Sequence, residues 1–159
     1  MDPSATYRVA TRAVEVEIEI EGGRREEVTF YLLNVAETHE GPETMAEALN
    51  RPRQFVPVRS RATSELFLVR RSAIVTVRVG QEELPNRFQS VECLVSFIDF
   101  VRLGLHGGEL LEGAVATLLP PGNSRMSDYF NLDNAGFAPL QVGESVVYVN
   151  EEFINLVYL

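Results

Sequence analysis

Few side chains in this 159-residue chain could move protons or attack a substrate: two histidines, one cysteine and a surplus of carboxylates. His39 stands in the acidic segment "ETHEGPE" and His106 beside Gly107-Gly108, so each reads as an isolated loop or turn residue. A general base needs an orienting group and a reacting proton within hydrogen-bond reach, and no such constellation can be assembled around either. Cys93 lies in the apolar run "VECLVSF", the surroundings of a buried, inert thiol rather than of a stabilised thiolate. No CxxC pair or Cys/His set is spaced to hold zinc. The G-x-S-x-G elbow, the Walker loop and GxGxxG are all missing. Glu15, Glu17, Glu19 and Glu21 form a ladder, but alternate residues of one strand lie ~7 Å apart, too far for most to share one ion. No catalytic, cofactor-binding or metal-binding residue is assigned, no cofactor is expected, and the chain is expected not to be an enzyme.

The arginines carry a denser signal. Seven stand between Arg51 and Arg78, with Glu65 as the single acid among them. By half, residues 1–80 hold 11 Arg against 12 acids, and residues 81–159 hold 3 against 11. A run of this kind usually forms a solvated face. Its functional reading is a surface on which Arg51, Arg53, Arg59, Arg61, Arg70 and Arg71 grip an acidic partner. That partner is another protein, the acidic half of a second copy, or a nucleotide. Net charge −9 argues against general nucleic-acid binding, which needs surplus cations to neutralise phosphates. Arg8 and Arg12 resemble the R-x-x-x-R arm of PilZ domains, small barrels that bind cyclic dinucleotides. The [DN]-x-S-x-x-G motif that completes that site is missing, and "EEVTFYLL" stands in its place.

The elements that must position these residues follow from an internal repeat. "TMAEALNRPRQFVPV" and "RMSDYFNLDNAGFAPL" share M-x-[ED]-x-[LF]-N and then F-x-P-[VL]. Met45 falls on Met126, Asn50 on Asn131 and, after one inserted residue, Phe55 on Phe137. Further on, Glu65–Val77 lies over Ser145–Val157, which sets Val69 on Val149 and Ile74 on Ile154. Gly22-Gly23 matches Gly107-Gly108. The matches are collinear and their gaps fall in loops, so they read as an old duplication.

Each half has one grammar. In "VEVEIEIEGGRREEVTFYLL" the apolar residues alternate with Glu, the period of a strand with one wet face, and the glycine pair marks a hairpin. The counterpart is a strand ending near Leu105 with a return strand around Ala114 to Leu118. Short helices follow at Pro42–Asn50 and Asn123–Asn131, the second capped by Asn123 or Ser124. "QFVPVRS" predicts a short edge strand and "SELFLVRRSAIVTVRV" a hairpin pair, repeated after Gly136. Pro57 and Pro139 cannot donate ladder bonds, which predicts strand ends or edges for both. Leu49, Phe55, Phe130 and Phe137 are expected to form one buried ridge.

Five short strands with one helical insertion suit a small, strongly bent barrel of the SH3 or Sm-like kind, twice over. The second half also resembles a small bacterial β-domain family of unknown function, marked by [RK]-[LM]-S-D-[FY]-[LF]-N, then F-x-x-L, then a strand, an Asn and a last strand containing Ile. "RMSDYFN", "FAPL" and "VVYVNEEFINLV" carry that pattern. The first half departs from it, with "TMAEALN" and with Arg70 in place of the Asn. The resemblance implies a fold and no activity.

The expected chain is therefore all-β with short helices: a first repeat over 1–80, a connector at 81–90 and a second repeat over 91–159, sharing one core. Hydrophobic residues at 45% and charged residues at 23% are globular values, which argues against disorder. No stretch approaches signal-peptide character or the ~20 apolar residues of a spanning helix, so a bacterial cytoplasmic protein without a membrane partner is expected. The function expected is a protein–protein interaction or adaptor module of a regulatory assembly. The alternative is a small-ligand sensor binding a nucleotide or cyclic dinucleotide through the Arg-rich half. The closing run "INLVYL" has no charged gatekeeper, so its strand is expected to end inside a sheet or against a partner, a homodimer included.

Overall fold

The computed structural model describes residues 10–37, 39–80, 97–117, 126–131 and 136–159. Its first hairpin pairs β1 (Thr11–Ile20) with β2 (Arg24–Leu33) antiparallel, from Thr11↔Leu33 to Ile20↔Arg24. The alternation in sequence becomes an alternation in burial: Val16 and Ile18 face the core, while Glu15, Glu17 and Glu19 lie on the other face, exposed or half-buried. Gly22 and Gly23 close the turn with φ of 96° and 87°, a region that side chains other than glycine's rarely enter. Helix α1 (Met45–Asn50) begins at Thr44 through a capping box with Glu47, so it is shorter than the sequence pattern predicts.

Strands β3 (Phe55–Ser60) and β4 (Leu66–Arg70) pair with each other, and β3 pairs with β2. The expected hairpin between β4 and the next strand does not form. A three-residue 3₁₀ turn, Arg71–Ala73, carries the chain away from β4, and β5 (Ile74–Gly80) pairs instead with β1. The second half repeats this course. Strands β6 (Phe97–Leu105) and β7 (Leu110–Thr117) form a hairpin, helix α2 spans Met126–Asn131, and β8 (Phe137–Val142) pairs with β9 (Ser145–Asn150). A second 3₁₀ turn, Glu151–Phe153, leads to β10 (Ile154–Tyr158), which pairs with β6.

The sheet order is β10-β6-β7-β8-β9-β5-β1-β2-β3-β4. Within each half the strands therefore stand fifth, first, second, third, fourth. Hydrogen bonds recur at corresponding places as well. Glu21 N donates to Ala73 O at 2.8 Å and His106 N to Phe153 O at 2.9 Å. Arg71 N donates to Gln54 O at 2.8 Å and Glu151 N to Gly136 O at 2.7 Å. The protein is thus all-β and antiparallel, with short helices. Two closed barrels are not what its ladders form. The halves join through β5 and β9, from Thr76↔Val149 to Gly80↔Ser145, and no ladder among the described residues connects β10 to β4.

The core lies on both faces of that central pair. One cluster gathers Ile18, Phe30, Leu49, Val58 and Val77 around Tyr148 and Phe137 from the second half. The other gathers Leu103, Val115, Leu140, Val149 and Phe153 around Val75 from the first. In β9, Val146 and Tyr148 face the first cluster, while Val147 and Val149 face the second. Both faces of this strand are covered, so its sequence "SVVYVN" is apolar without alternation.

Three expectations need correction or limits. Pro57 and Pro139 sit within strands flanked on both sides. They are accommodated because the β2–β3 ladder runs only from Val28↔Ser60 to Phe30↔Val58, and β7–β8 pairs only at Ala114↔Gln141. Phe55 is 41% exposed whereas Phe137 is 4% exposed, so the predicted ridge is not uniformly buried. The connector at 81–90, Cys93, Asn123 and Ser124 lie outside the described residues.

Candidate functional site

Among the described residues the sheet has two open edges, β4 at one end and β10 at the other. On β4, Val69 is buried and Phe67 packs against the first core, which turns Leu66 and Leu68 outward, 56% and 64% exposed. Phe55 stands beside them on β3, and the Arg70 guanidinium lies 4.7 Å over its ring. Arg59 flanks the same hairpin, donating to Tyr31 Oη at 3.1 Å and to Ser64 O at 2.7 Å. On β10, Val157 packs against the second core while Leu156 and Tyr158 are exposed. Neither strand carries a charged side chain between its ends. Such edges present unpaired backbone donors and acceptors with apolar side chains alongside, a template for another strand.

The six arginines singled out by sequence do not share one surface. Arg59, Arg61 and Arg70 stand on the β3–β4 hairpin. Arg61 lies 3.4 Å from Glu27 and 3.6 Å from Glu15, on the face of the carboxylate ladder. Arg51 turns inward to the carboxylate of Glu43, which is 1% exposed. Glu43 also accepts from Leu33 N at 2.7 Å, and Arg12 Nη2 donates to its backbone oxygen at 3.1 Å. Arg71 donates to Leu49 O and lies 5.8 Å from the ring of Phe137. Arg53 is half-buried after α1, its amide donating to Arg51 O at 2.7 Å. Arg8 of the PilZ-like pair lies outside the described residues, and Arg12 holds the Glu43 loop.

A second site gathers where the two glycine turns meet. A groove of about 440 Å³ lies between Glu19, Glu21 and Gly22 on one side and His106, Glu109 and Phe153 on the other. Arg25 bridges the two turns, 2.7 Å from Glu109 and 3.5 Å from Glu19. Burial pushes the Glu19 carboxyl above its usual range, the charge of Glu109 adds to the rise, and Arg25 opposes it. His106 packs edge-on against Phe153 at 5.3 Å. Among the described residues the lining holds carboxylates and one imidazole but no Ser, Thr or Cys. Among the described residues, no group of three or more His, Cys, Asp or Glu is placed to hold a metal ion. His39 lies apart from the groove. Its Nδ1 is 2.8 Å from Glu40 O and its Nε2 is 2.6 Å from Glu47 Oε1, and these bonds raise its pKa.

Two asparagines that sequence reasoning left without a role tie the halves together. Asn50, at the end of α1, accepts from Phe137 N at 3.0 Å. Asn150 donates to Ile74 O at 2.9 Å and accepts from Glu152 N at 3.1 Å, which fixes the second 3₁₀ turn against the first half. For Asn50 the available signal was the recurring Asn of the repeat phrase; for Asn150 it was the Asn before the last strand, which Arg70 replaces in the first half. Glu43 had none, because an acid in "ETHEGPE" reads as solvated loop. No protein-family model, curated protein or solved structure matches the chain. No helix among the described residues is long and apolar enough to cross a membrane.

Proposed function

We propose that the chain is a non-catalytic protein-interaction module, an adaptor of a bacterial cytoplasmic assembly, built from two copies of an SH3- or Sm-like five-strand unit. The repeated strand order and the recurring 3₁₀-turn hydrogen bonds support the duplication. The observation that carries the interaction reading is the β4 edge: a strand paired only with β3 among the described residues, with Leu66 and Leu68 exposed, Phe55 beside them, and Arg59 and Arg70 around it. A partner strand added there gains main-chain hydrogen bonds, while the apolar side chains and the two cations select its sequence. An acidic or apolar–acidic segment suits that surface best.

The test is affinity capture from native lysate with two baits, the wild-type chain and the Leu66→Arg/Leu68→Arg variant. Both substituted residues are exposed, so the fold is retained, as circular dichroism and a melting curve would verify. A partner enriched by the first bait and lost by the second is the expected result. A partner held equally by both binds elsewhere and overturns the assignment of the edge.

A further inference from the structure

Resting on that reading, we propose that the β4 edge takes the β10 edge of a second copy, so that chains join head to tail as the halves are joined within one chain. The internal junction supplies the template. There, the fourth strand of the second half, β9, pairs antiparallel with the fifth strand of the first half, β5. The free edges of one chain are the missing members of the same combination: a fourth strand, β4, and a fifth strand, β10.

The register follows from the repeat. Ser145–Val157 corresponds to Glu65–Val77, so Val77↔Tyr148 at the internal junction becomes Val157↔Leu68 between copies, and Thr76↔Val149 becomes Leu156↔Val69. Continuing outward, Tyr158 meets Phe67 and Leu159 meets Leu66.

Burial supports this occupant over an unrelated one. The counterparts of Leu66 and Leu68 are Val146 and Tyr148, both 0% exposed because the first half covers them. Phe55 is 41% exposed, and its counterpart Phe137 is 4% exposed in that same junction. The outward apolar residues of β3 and β4 thus stand where the same fold already buries its own. The side chains also agree in face. Phe67 and Val69 point to their own core, as Val147 and Val149 do, which leaves Leu66 and Leu68 to enter the core of the next copy. Charge agrees as well. Arg71 overlies Phe137 internally, and the corresponding Glu151 of one copy falls beside Phe55 of the next, where Arg70 already stacks. The two edges differ, so the contact is heterologous. It closes into a ring or grows into a filament according to the rotation per chain.

Sedimentation equilibrium across a concentration series tests the proposal. The wild-type chain is expected above the 17.8 kDa monomer. The Leu66→Arg/Leu68→Arg and Leu156→Arg/Tyr158→Arg variants each lose one edge and are expected to be monomers alone. Mixed, they retain one intact edge of each kind and form a 1:1 dimer that does not grow. Arg70→Glu is expected to weaken association, and Arg70→Glu/Glu151→Arg to recover it. A wild-type chain that stays monomeric to its solubility limit overturns the proposal, as does a β4 variant that still forms a homodimer. If the wild-type chain is monomeric while lysate capture still depends on Leu66 and Leu68, self-association fails and the interaction edge stands. If capture is also indifferent to those residues, both fall.

Discussion

Glu43 is buried to 1% exposure, with Arg51 on one carboxylate oxygen and the Leu33 amide on the other. Removing one member of a buried pair strands the rest, at about 3–5 kcal/mol. Glu43→Ala is therefore expected to cost about 3 kcal/mol in urea denaturation, towards the lower end because Arg51 keeps part of its side chain in water. A loss below ~1 kcal/mol, the size of an exposed pair, would show that this carboxylate is solvated. His39 gives a pH-dependent counterpart. The Glu40 carbonyl and then the Glu47 carboxylate hold its pKa above 6.5, so the protonated ring is favoured in the folded state. The stabilisation is complete below the unfolded value and disappears as pH rises through the folded one. NMR titration should place His39 above 6.5, with Glu47→Gln lowering it; a wild-type value at or below 6.5 contradicts the contact. At this scale sequence located the arginines but not their roles. Arg51 and Arg71 turn inward because Glu43, eight residues before Arg51, and the Leu49 carbonyl, 22 before Arg71, need donors there.

Strand β7 leaves no room for a side chain at Gly113. A Cβ at Gly113 would lie 2.5 Å from Gln141 O and 2.6 Å from Leu140 Cγ, on a strand joined to β8 at the single register pair Ala114↔Gln141. Gly113→Ala is expected to cost about 2–3 kcal/mol by overpacking and to raise amide exchange across β8. At Gly104 the nearest atoms are those of the Leu156 side chain, the first at 3.1 Å, so Gly104→Ala should cost less. Unchanged exchange in β8 would refute the assignment. Hairpins β1–β2 and β6–β7 were legible because a period of two around a glycine pair is a local signal. The departures of β5 and β10 from their preceding strands were not. "RSA" and "EEF" have the length of hairpin turns, and only distant partners, β1 and β6, decide that they cross instead.

The whole molecule separates charge, with most of its arginines in the first half and an excess of acids in the second. Thermal-shift measurements with nucleotides and cyclic dinucleotides are expected to leave the melting temperature unchanged. Binding to the native state at 100 times Kd would add about 2.7 kcal/mol, so a clear rise would restore the sensor reading. The candidate edge was half legible: sequence pointed to "INLVYL" as a strand seeking a neighbour, while β4 escaped because its outward leucines look like core. The junction also sets a timetable for synthesis. Strand β5 leaves the ribosome long before β9, and translation at ~5–20 residues per second keeps it waiting for several seconds. Meanwhile Val75, later covered by the second half, faces solvent from a strand paired on one side only, with β1. Slow codons across residues 81–144 would lengthen that wait and should shift newly made protein towards inclusion bodies, although the finished polypeptide would be identical.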